Sequence, residues 1–288
     1  MLKKRIIYGV HVLIYLFALI GFILTGGYVA IRLHLTNAVG VIDMQNEVFK
    51  KSANEKNMGG NGQYTVDIPL DLAWSKTSEW KTFKQAVTKD APQVEQVSKI
   101  TSVDRRLIIA QLAVEQLRLF TDEREIYKQM FAPLKILGSQ SQFSWGIMGL
   151  KEDTAKQIEQ NLKDSSSPFY LGLSYEHLLD FKTADHNTER FERIIDEHNH
   201  YYDYLYVATY LKEITTQWKN AGYDISNRPE ILSTLYNIGF IHSVPNPNPS
   251  VGGAEIDVGG STYSFGSLAY QFYYSDELNL EFPQGVAK

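Results

Sequence analysis

A long apolar run near the N-terminus is the strongest constraint that this sequence places on its own fold. The run extends from residue 6 to 31 without a formal charge and follows the basic residues Lys3, Lys4 and Arg5. About 20 apolar residues span a bilayer, whereas the apolar core of a cleaved signal peptide has only about 7–15. We therefore expect a single transmembrane anchor at 6–31; the alternative is a cleaved signal peptide.

The charges beside the run predict its orientation and the order of the segments that follow. Because basic flanks stay in the cytoplasm, residues 1–5 are expected to form a cytoplasmic tip. Everything after Arg32 is then expected outside the cytoplasmic membrane, in the periplasm or the cell-wall zone. Residues 32–64, which include the polar, Gly- and Asn-rich stretch at 50–62, are predicted to be a stalk or linker. Residues 65–90 are predicted to be a helical connection, and 91–288 the main domain.

Composition limits what the external part can do. Hydrophobic residues make up 44% of the chain, so a sizeable core can be buried, and the net charge of -5 argues against a nucleic-acid partner. The chain has no cysteine, which excludes disulfides and a thiol nucleophile. His186, His198 and His200 lack the His-x-x-x-His spacing of a zinc helix. Since no glycine-rich phosphate loop is present either, we expect neither a metal nor a cofactor.

Hydrophobic periodicity predicts that the main domain is mostly helical. Helices are predicted at 102–120, with Ser102 as the N-cap, and at 151–162, 201–218, 228–238 and 265–274. The Gly259-Gly260 pair predicts a β-hairpin of strands 255–258 and 261–264, because glycine readily adopts the positive φ angles of a two-residue turn. The expected fold class is therefore mainly α with a small C-terminal β-hairpin, preceded by the transmembrane helix.

One acidic residue stands out on the helix predicted at 102–120. Glu115 shares a face with apolar residues that include Leu112 and Leu119, so its carboxyl is expected in an apolar stripe. Loss of water favours the protonated carboxyl, which is the form that a general acid on a glycosidic oxygen requires. The alternative is a structural glutamate paired with a nearby arginine, for which Arg118 and Arg106 are the candidates.

Two motifs downstream of Glu115 connect the chain to a known family. Residues 146–155 read GIMGLKEDTA, and residues 236–239, which end a predicted helix, read YNIG. Together with the stretch VDRRLIIAQLAVE at 103–115, they occur in the order found in the lytic transglycosylase family, which the chain resembles over 103–239. The chain departs from the family pattern at Gln116, Gly149 and the pair Lys151-Glu152, which bears on the shape of the sugar subsites.

The resemblance implies a lysozyme-like α+β fold and a peptidoglycan substrate. It implies cleavage of the β-1,4 bond between N-acetylmuramic acid and N-acetylglucosamine, with a 1,6-anhydro product. Glu115 would first protonate the glycosidic oxygen and then accept the proton of the muramic 6-hydroxyl, while the N-acetyl group of the substrate stabilises the reacting carbon. Peptidoglycan glycan strands and the membrane are the expected partners, with secretion or cell-wall machinery as a further possibility.

The resemblance also implies which residues contact sugar. They are Ser144, Trp145, Met148, Tyr236 and Asn237. For Trp145 and Met148 the alternative is a place in the ordinary core, and for the pair at 236–237 it is a helix end capped by Gly239.

Two other functions stay open at this point. A hydrolytic muramidase on the same fold would need a second carboxylate, which Asp122, Glu123 or Glu125 could supply. A wall-binding or scaffold module would keep the fold without catalysis.

Overall fold

The computed structural model describes residues 70–121 and 144–287, together with the single residues 15, 21 and 68. The predicted anchor at 6–31, apart from Tyr15 and Gly21, and the stalk at 32–64 lie outside the described residues, so both stay predictions. In the described part of the chain, no helix combines the length and the apolar character needed to cross a membrane. The described residues from 68 onward belong to one unit that spans 53–288.

Helices dominate the described ranges, which confirms the predicted class of a mainly α protein with a small C-terminal β-hairpin. In chain order the elements are α1 (Ser78–Val87), α2 (Ala91–Thr101), α3 (Arg105–Thr121), β1 (Ser144–Trp145), β2 (Leu150–Lys151), α4 (Glu152–Lys163), α5 (His186–Ile195), α6 (Tyr201–Asn220), α7 (Pro229–Ile238), β3 (Glu255–Val258), β4 (Ser261–Ser264) and α8 (Phe265–Tyr274). Short 3-10 helices lie at Ala73–Lys76, Thr88–Asp90, Leu173–Tyr175 and Phe240–His242. Both strand pairs are antiparallel.

The C-terminal hairpin and the helix after it have the predicted bounds. Gly259 and Gly260 connect β3 to β4 with φ angles of 62° and 82°, as a two-residue turn with two positive φ angles requires. Ser264 then caps α8 by accepting a hydrogen bond from the Ser267 amide. Local backbone chemistry is therefore enough to specify this segment.

The predicted start of α3 is wrong by three residues. Ser102 has a φ of 58° and ends α2 in the left-handed conformation, with its amide bonded to the Ser98 carbonyl. Asp104 takes the capping role instead, because its Oδ1 accepts a hydrogen bond from the Arg106 amide at 2.7 Å. Serine is a common N-cap, whereas a left-handed residue at the end of a helix is usually glycine or asparagine. The sequence pattern therefore favoured Ser102 as a helix start and did not reveal that it ends α2.

The segment before α2 packs into the same core as the C-terminal residues. The rings of Trp74 and Trp80 meet edge to face at 4.7 Å, and Trp80 also contacts Phe272 of α8 with ring centroids 5.7 Å apart. The indole N–H of Trp80 donates to Glu277 at 2.9 Å. Trp74, Trp80, Phe83 and Val87 of this segment are as well buried as the rest of the core.

Helix α3 is buried on all its faces from residue 107 to 115. A helix of this kind has no solvent-facing side, so each polar side chain on it needs a partner inside the protein. Gln111 donates from Nε2 to the Ser233 hydroxyl of α7 at 2.7 Å, which connects the two helices. The partners of α3's polar side chains therefore decide which elements surround it.

Arg106 makes the largest of these connections. Its side chain is fully buried, and its guanidinium lies 4.6 Å from the centre of the Phe272 ring. It donates hydrogen bonds to the carbonyl oxygens of Phe272, Tyr273, Ser275, Glu277 and Phe282 at 2.6–3.3 Å. The guanidinium thus holds the end of α8 and the residues after it against α3.

We expect Arg106→Met to lower the free energy of unfolding by about 3–5 kcal/mol, because five carbonyl oxygens, three of them in fully buried contacts, lose a charged donor. Urea unfolding of the purified chain measures the loss. The matched control is Arg105→Met, since the Arg105 side chain makes a single exposed contact with the Gly285 carbonyl at 3.3 Å. That variant should lose less than about 1 kcal/mol. Similar losses in both variants would contradict the structural role of Arg106.

The first turn of α6 is fixed by a buried acid. Asp90 accepts hydrogen bonds from Nδ1 of His200 and from the Tyr204 hydroxyl, both at 2.8 Å. The hydrogen bond to Asp90 raises the pKa of His200 above its ordinary value, although partial burial opposes the shift. A protonated His200 that donates to Asp90 therefore stabilises the folded protein.

This pair predicts a pH dependence of stability. Because the pKa of His200 is higher in the folded than in the unfolded protein, the stabilisation is complete below about pH 6.5 and disappears as the pH rises through the folded value. The difference in unfolding free energy between the wild type and His200→Gln should therefore be larger at pH 6 than at pH 9. A difference that stays constant or grows with pH would rule out the ion pair.

Candidate active site

Glu115 lies on α3 and is almost completely buried. Its Oε2 forms an ion pair with the Arg118 guanidinium, with 2.5 Å to one terminal nitrogen and 3.2 Å to Nε. The two residues are three apart on the helix, where side chains meet. Of the two interpretations of Glu115, the arginine-paired one is thus present in this structure, with Arg118 and not Arg106 as the partner.

A tight turn at 146–149 covers the Glu115 carboxyl. The turn joins β1 to β2, and Gly146 and Gly149 adopt φ angles of 64° and 67°, which favour glycine. A Cβ atom on Gly149 would lie 3.2 Å from both Cδ and Oε2 of Glu115. A side chain at this position would require the Glu115 carboxyl to move by a few tenths of an ångström.

Three helices hold this turn through hydrogen bonds to its backbone. Gln116 of α3 donates from Nε2 to the Ile147 carbonyl at 2.7 Å, and the Tyr236 hydroxyl of α7 donates to the Met148 carbonyl at 2.7 Å. Asp203 of α6 accepts from the Met148 amide at 3.1 Å. Since donors and acceptors reach the turn from three directions, its position relative to Glu115 is well defined.

Tyr236 closes the site from the α7 side. It is buried, and its ring lies 5.5 Å from that of Tyr210 and 6.0 Å from that of Phe265. Burial raises the pKa of Tyr236 well above 10, and the nearby charges of Glu115 and Asp203 raise it further. The phenol therefore stays neutral and acts as a hydrogen-bond donor.

The remaining sequence-predicted site residues lie around the turn. Trp145 is buried edge to face against Phe191 with ring centroids 5.1 Å apart, which is the core position left open for it, and Met148 is fully buried. The Oδ1 atom of Asn237 accepts a hydrogen bond from the Ala254 amide at 2.9 Å and so holds the loop before β3. The backbone of Ser144 pairs with Lys151, while its side chain lies outside what the structure describes.

Sequence reasoning missed two residues that shape this site. Asp203 reads in the sequence as an ordinary acidic residue in the first turn of a helix, where negative charge is common. Gln116 stands out in the sequence only because it departs from the family pattern, and nothing there indicates its contact with the turn. The only signal for Asp203 was a charge among the aromatic and apolar residues at 201–211, and it did not indicate which backbone the carboxyl would contact.

Comparisons of this chain with protein-family models, with curated proteins and with solved structures found no match. Within residues 70–121 and 144–287, no group of three or more His, Asp or Glu side chains is arranged to hold a metal ion. The family resemblance over 103–239 therefore stays a prediction.

We expect Gly149→Ala to destabilise the protein more than its backbone angle alone requires. An alanine with this φ costs about 1–2 kcal/mol, and its methyl group would also displace Glu115 from its pairing with Arg118. Gly222→Ala is the control, because Gly222 has a φ of 90° but no atom within 4 Å of an added Cβ. Urea unfolding should give Gly149→Ala the larger loss by about 1 kcal/mol or more. Equal losses would mean that the turn does not press on the acid.

Proposed function

We propose that this chain is a peptidoglycan lytic transglycosylase with a lysozyme-like fold, anchored to the cytoplasmic membrane through residues 6–31. The observation that carries the proposal is the position of Glu115, a buried acid on a central helix with the Gly149 backbone directly against it. The order of Glu115, the 146–149 turn and Tyr236 along the chain adds support, because the resemblance to this family rests on the same three segments.

In the proposed reaction, Glu115 acts first as an acid and then as a base. It protonates the oxygen between N-acetylmuramic acid and N-acetylglucosamine, and the bond to the muramic carbon breaks. The carboxylate then takes the proton of the 6-hydroxyl, which attacks the same carbon and closes a 1,6-anhydro ring. Protons balance over the cycle, so the reaction consumes neither water nor a cofactor.

Arg118 sets a condition on this mechanism. A carboxylate held by a guanidinium has no proton to donate, so Arg118 must leave Glu115 before the acid step. In the base step the same arginine would favour the carboxylate. We propose that sugar binding separates the pair, and that the structure corresponds to the enzyme before substrate arrives.

The ion pair also supports a second candidate function. If Arg118 never leaves Glu115, the glutamate is a structural residue and the chain is a wall-binding or scaffold module without catalysis. A hydrolytic muramidase is the third alternative; its candidate second carboxylates, residues 122, 123 and 125, lie outside the described residues. A location in the periplasm or the cell-wall zone is also part of the proposal. So is an association with secretion or cell-wall machinery.

Glu115→Gln tests the catalytic role. An amide keeps the size of the side chain but cannot donate the proton, so release of soluble fragments from purified peptidoglycan should fall by at least about 100-fold. The matched control is Glu213→Gln, since Glu213 is also a buried carboxyl but bonds to Asn161 of α4, away from the turn. It should keep the wild-type rate. Full activity of Glu115→Gln would refute the assignment, and a wild type without activity would favour the scaffold.

A further inference from the structure

The carboxyl of Asp203 lies directly against the 146–149 turn, at its Gly146 and Met148 residues. Its Oδ2 accepts the Met148 amide hydrogen at 3.1 Å. The turn is so close that a Cβ atom on Gly146 would lie 2.8 Å from Cγ of Asp203 and 2.5 Å from the Ile194 carbonyl oxygen. The turn is thus in close contact with two carboxyl groups, Glu115 at Gly149 and Asp203 at Gly146 and Met148.

Asp203 is fully buried, and the hydrogen bond that it makes does not require an acid. Within the described residues, its Oδ1 has no hydrogen-bond partner. An asparagine would accept the same bond from Met148 without placing a charge in the core, which costs free energy. What aspartate adds at this position is the ability to gain and lose a proton.

The surroundings of Asp203 bring that titration near neutral pH. Desolvation raises the pKa of Asp203 to about 7, while the amides of Met148 and Ile147 and the charge of His200 act in the opposite direction. Tyr204 on its own helix and His200 just before that helix are the nearest titratable groups, and Asp90 bonds to both of them. The other titratable and charged groups are Tyr236 from α7, and Glu115 and Arg118 from α3. The end of α5 contributes the Ile194 carbonyl.

We propose that Asp203 is a positioning residue that holds the 146–149 turn against Glu115 when it is ionised and loosens that hold when it takes up a proton. A hydrogen bond from an amide to a carboxylate is roughly twice as strong as one to a neutral acid. Protonation therefore weakens the hydrogen bond by which α6 holds the Met148 amide of the turn. The consequence for catalysis depends on the proposed function, whereas the link between Asp203 and the turn does not.

The Met148 amide reports this link directly. The chain has five methionines, so the full-length protein labelled with [15N]methionine gives few signals, and Met148→Leu identifies the one of Met148. Between pH 5 and 9 this signal should shift with a midpoint near 7 in the wild type and stay constant in Asp203→Asn. No shift in the wild type, or the same shift in Asp203→Asn, would overturn the proposal.

Two control variants separate Asp203 from its neighbours. His200→Gln removes the histidine immediately before α6, whose pKa Asp90 raises, and Glu213→Gln removes the other buried carboxyl of that helix. The Met148 shift should persist in both. If it disappears in His200→Gln and remains in Asp203→Asn, the histidine is the switch and the proposal is wrong.

Stability gives a second measurement that does not use the Met148 signal. Because the pKa of Asp203 is higher in the folded than in the unfolded protein, its ionisation destabilises the fold progressively from about pH 4 to 7. The Tm of Asp203→Asn should therefore exceed that of the wild type at pH 8 and approach it at pH 4. A lower Tm at pH 8 would mean that the charge itself stabilises the core.

Activity extends the test to catalysis. At one pH unit below its pKa, roughly a tenth of Asp203 is ionised, so the rate of the wild type relative to Asp203→Asn should fall up to about tenfold between pH 8 and pH 6. Comparison with Asp203→Asn cancels the pH effects that both proteins share. If neither protein cleaves glycan, the proposed function fails, and the Met148 signal still decides the role of Asp203. If the ratio of the two rates stays constant with pH while the Met148 amide signal shifts, the catalytic consequence is refuted.

Discussion

Helix α3 has no face toward water between residues 107 and 115, and this constraint organises the rest of the protein. Each polar side chain on the helix must be paired inside the core, so the pairing partners decide what packs around it. Arg106 attaches the residues at the end of α8, and Gln111 attaches α7. Glu115 and Gln116 meet the 146–149 turn. The same requirement that stabilises the fold therefore also assembles the candidate site.

The turn at 146–149 brings backbone atoms directly against the Glu115 carboxyl. Gly149 lets the backbone approach Glu115, and hydrogen bonds from α3, α6 and α7 fix the turn where it is. A carboxyl held in this way has little freedom, which is what an acid aimed at one glycosidic oxygen needs. Arg118 opposes the acid role in the structure as it stands, so the exchange of this partner for a sugar is the step on which the proposed function depends.

The parts that the sequence predicted correctly depend on local chemistry. The hairpin and α8 follow from the φ angles of Gly259-Gly260 and from the cap at Ser264, all within a few residues of one another. The predicted start of α3 was wrong because Ser102 ends α2 and does not begin α3, which depends on the packing of α2 and not on the local pattern. The partners of Arg106 and Asp203 were not predictable, since they lie about 170 and 55 residues away. For Glu115, the sequence left open both an acid and an ion pair with arginine, and the structure contains the ion pair.

The mass of the reaction product tests the central claim most directly. Purified peptidoglycan digested with the wild-type chain is separated, and the fragments are weighed by mass spectrometry. A single acid and base at Glu115 predicts fragments that end in a 1,6-anhydro ring, each one water lighter than the corresponding hydrolysis product. Fragments with a free reducing end would contradict the account, because they require an attacking water that the proposed mechanism does not use.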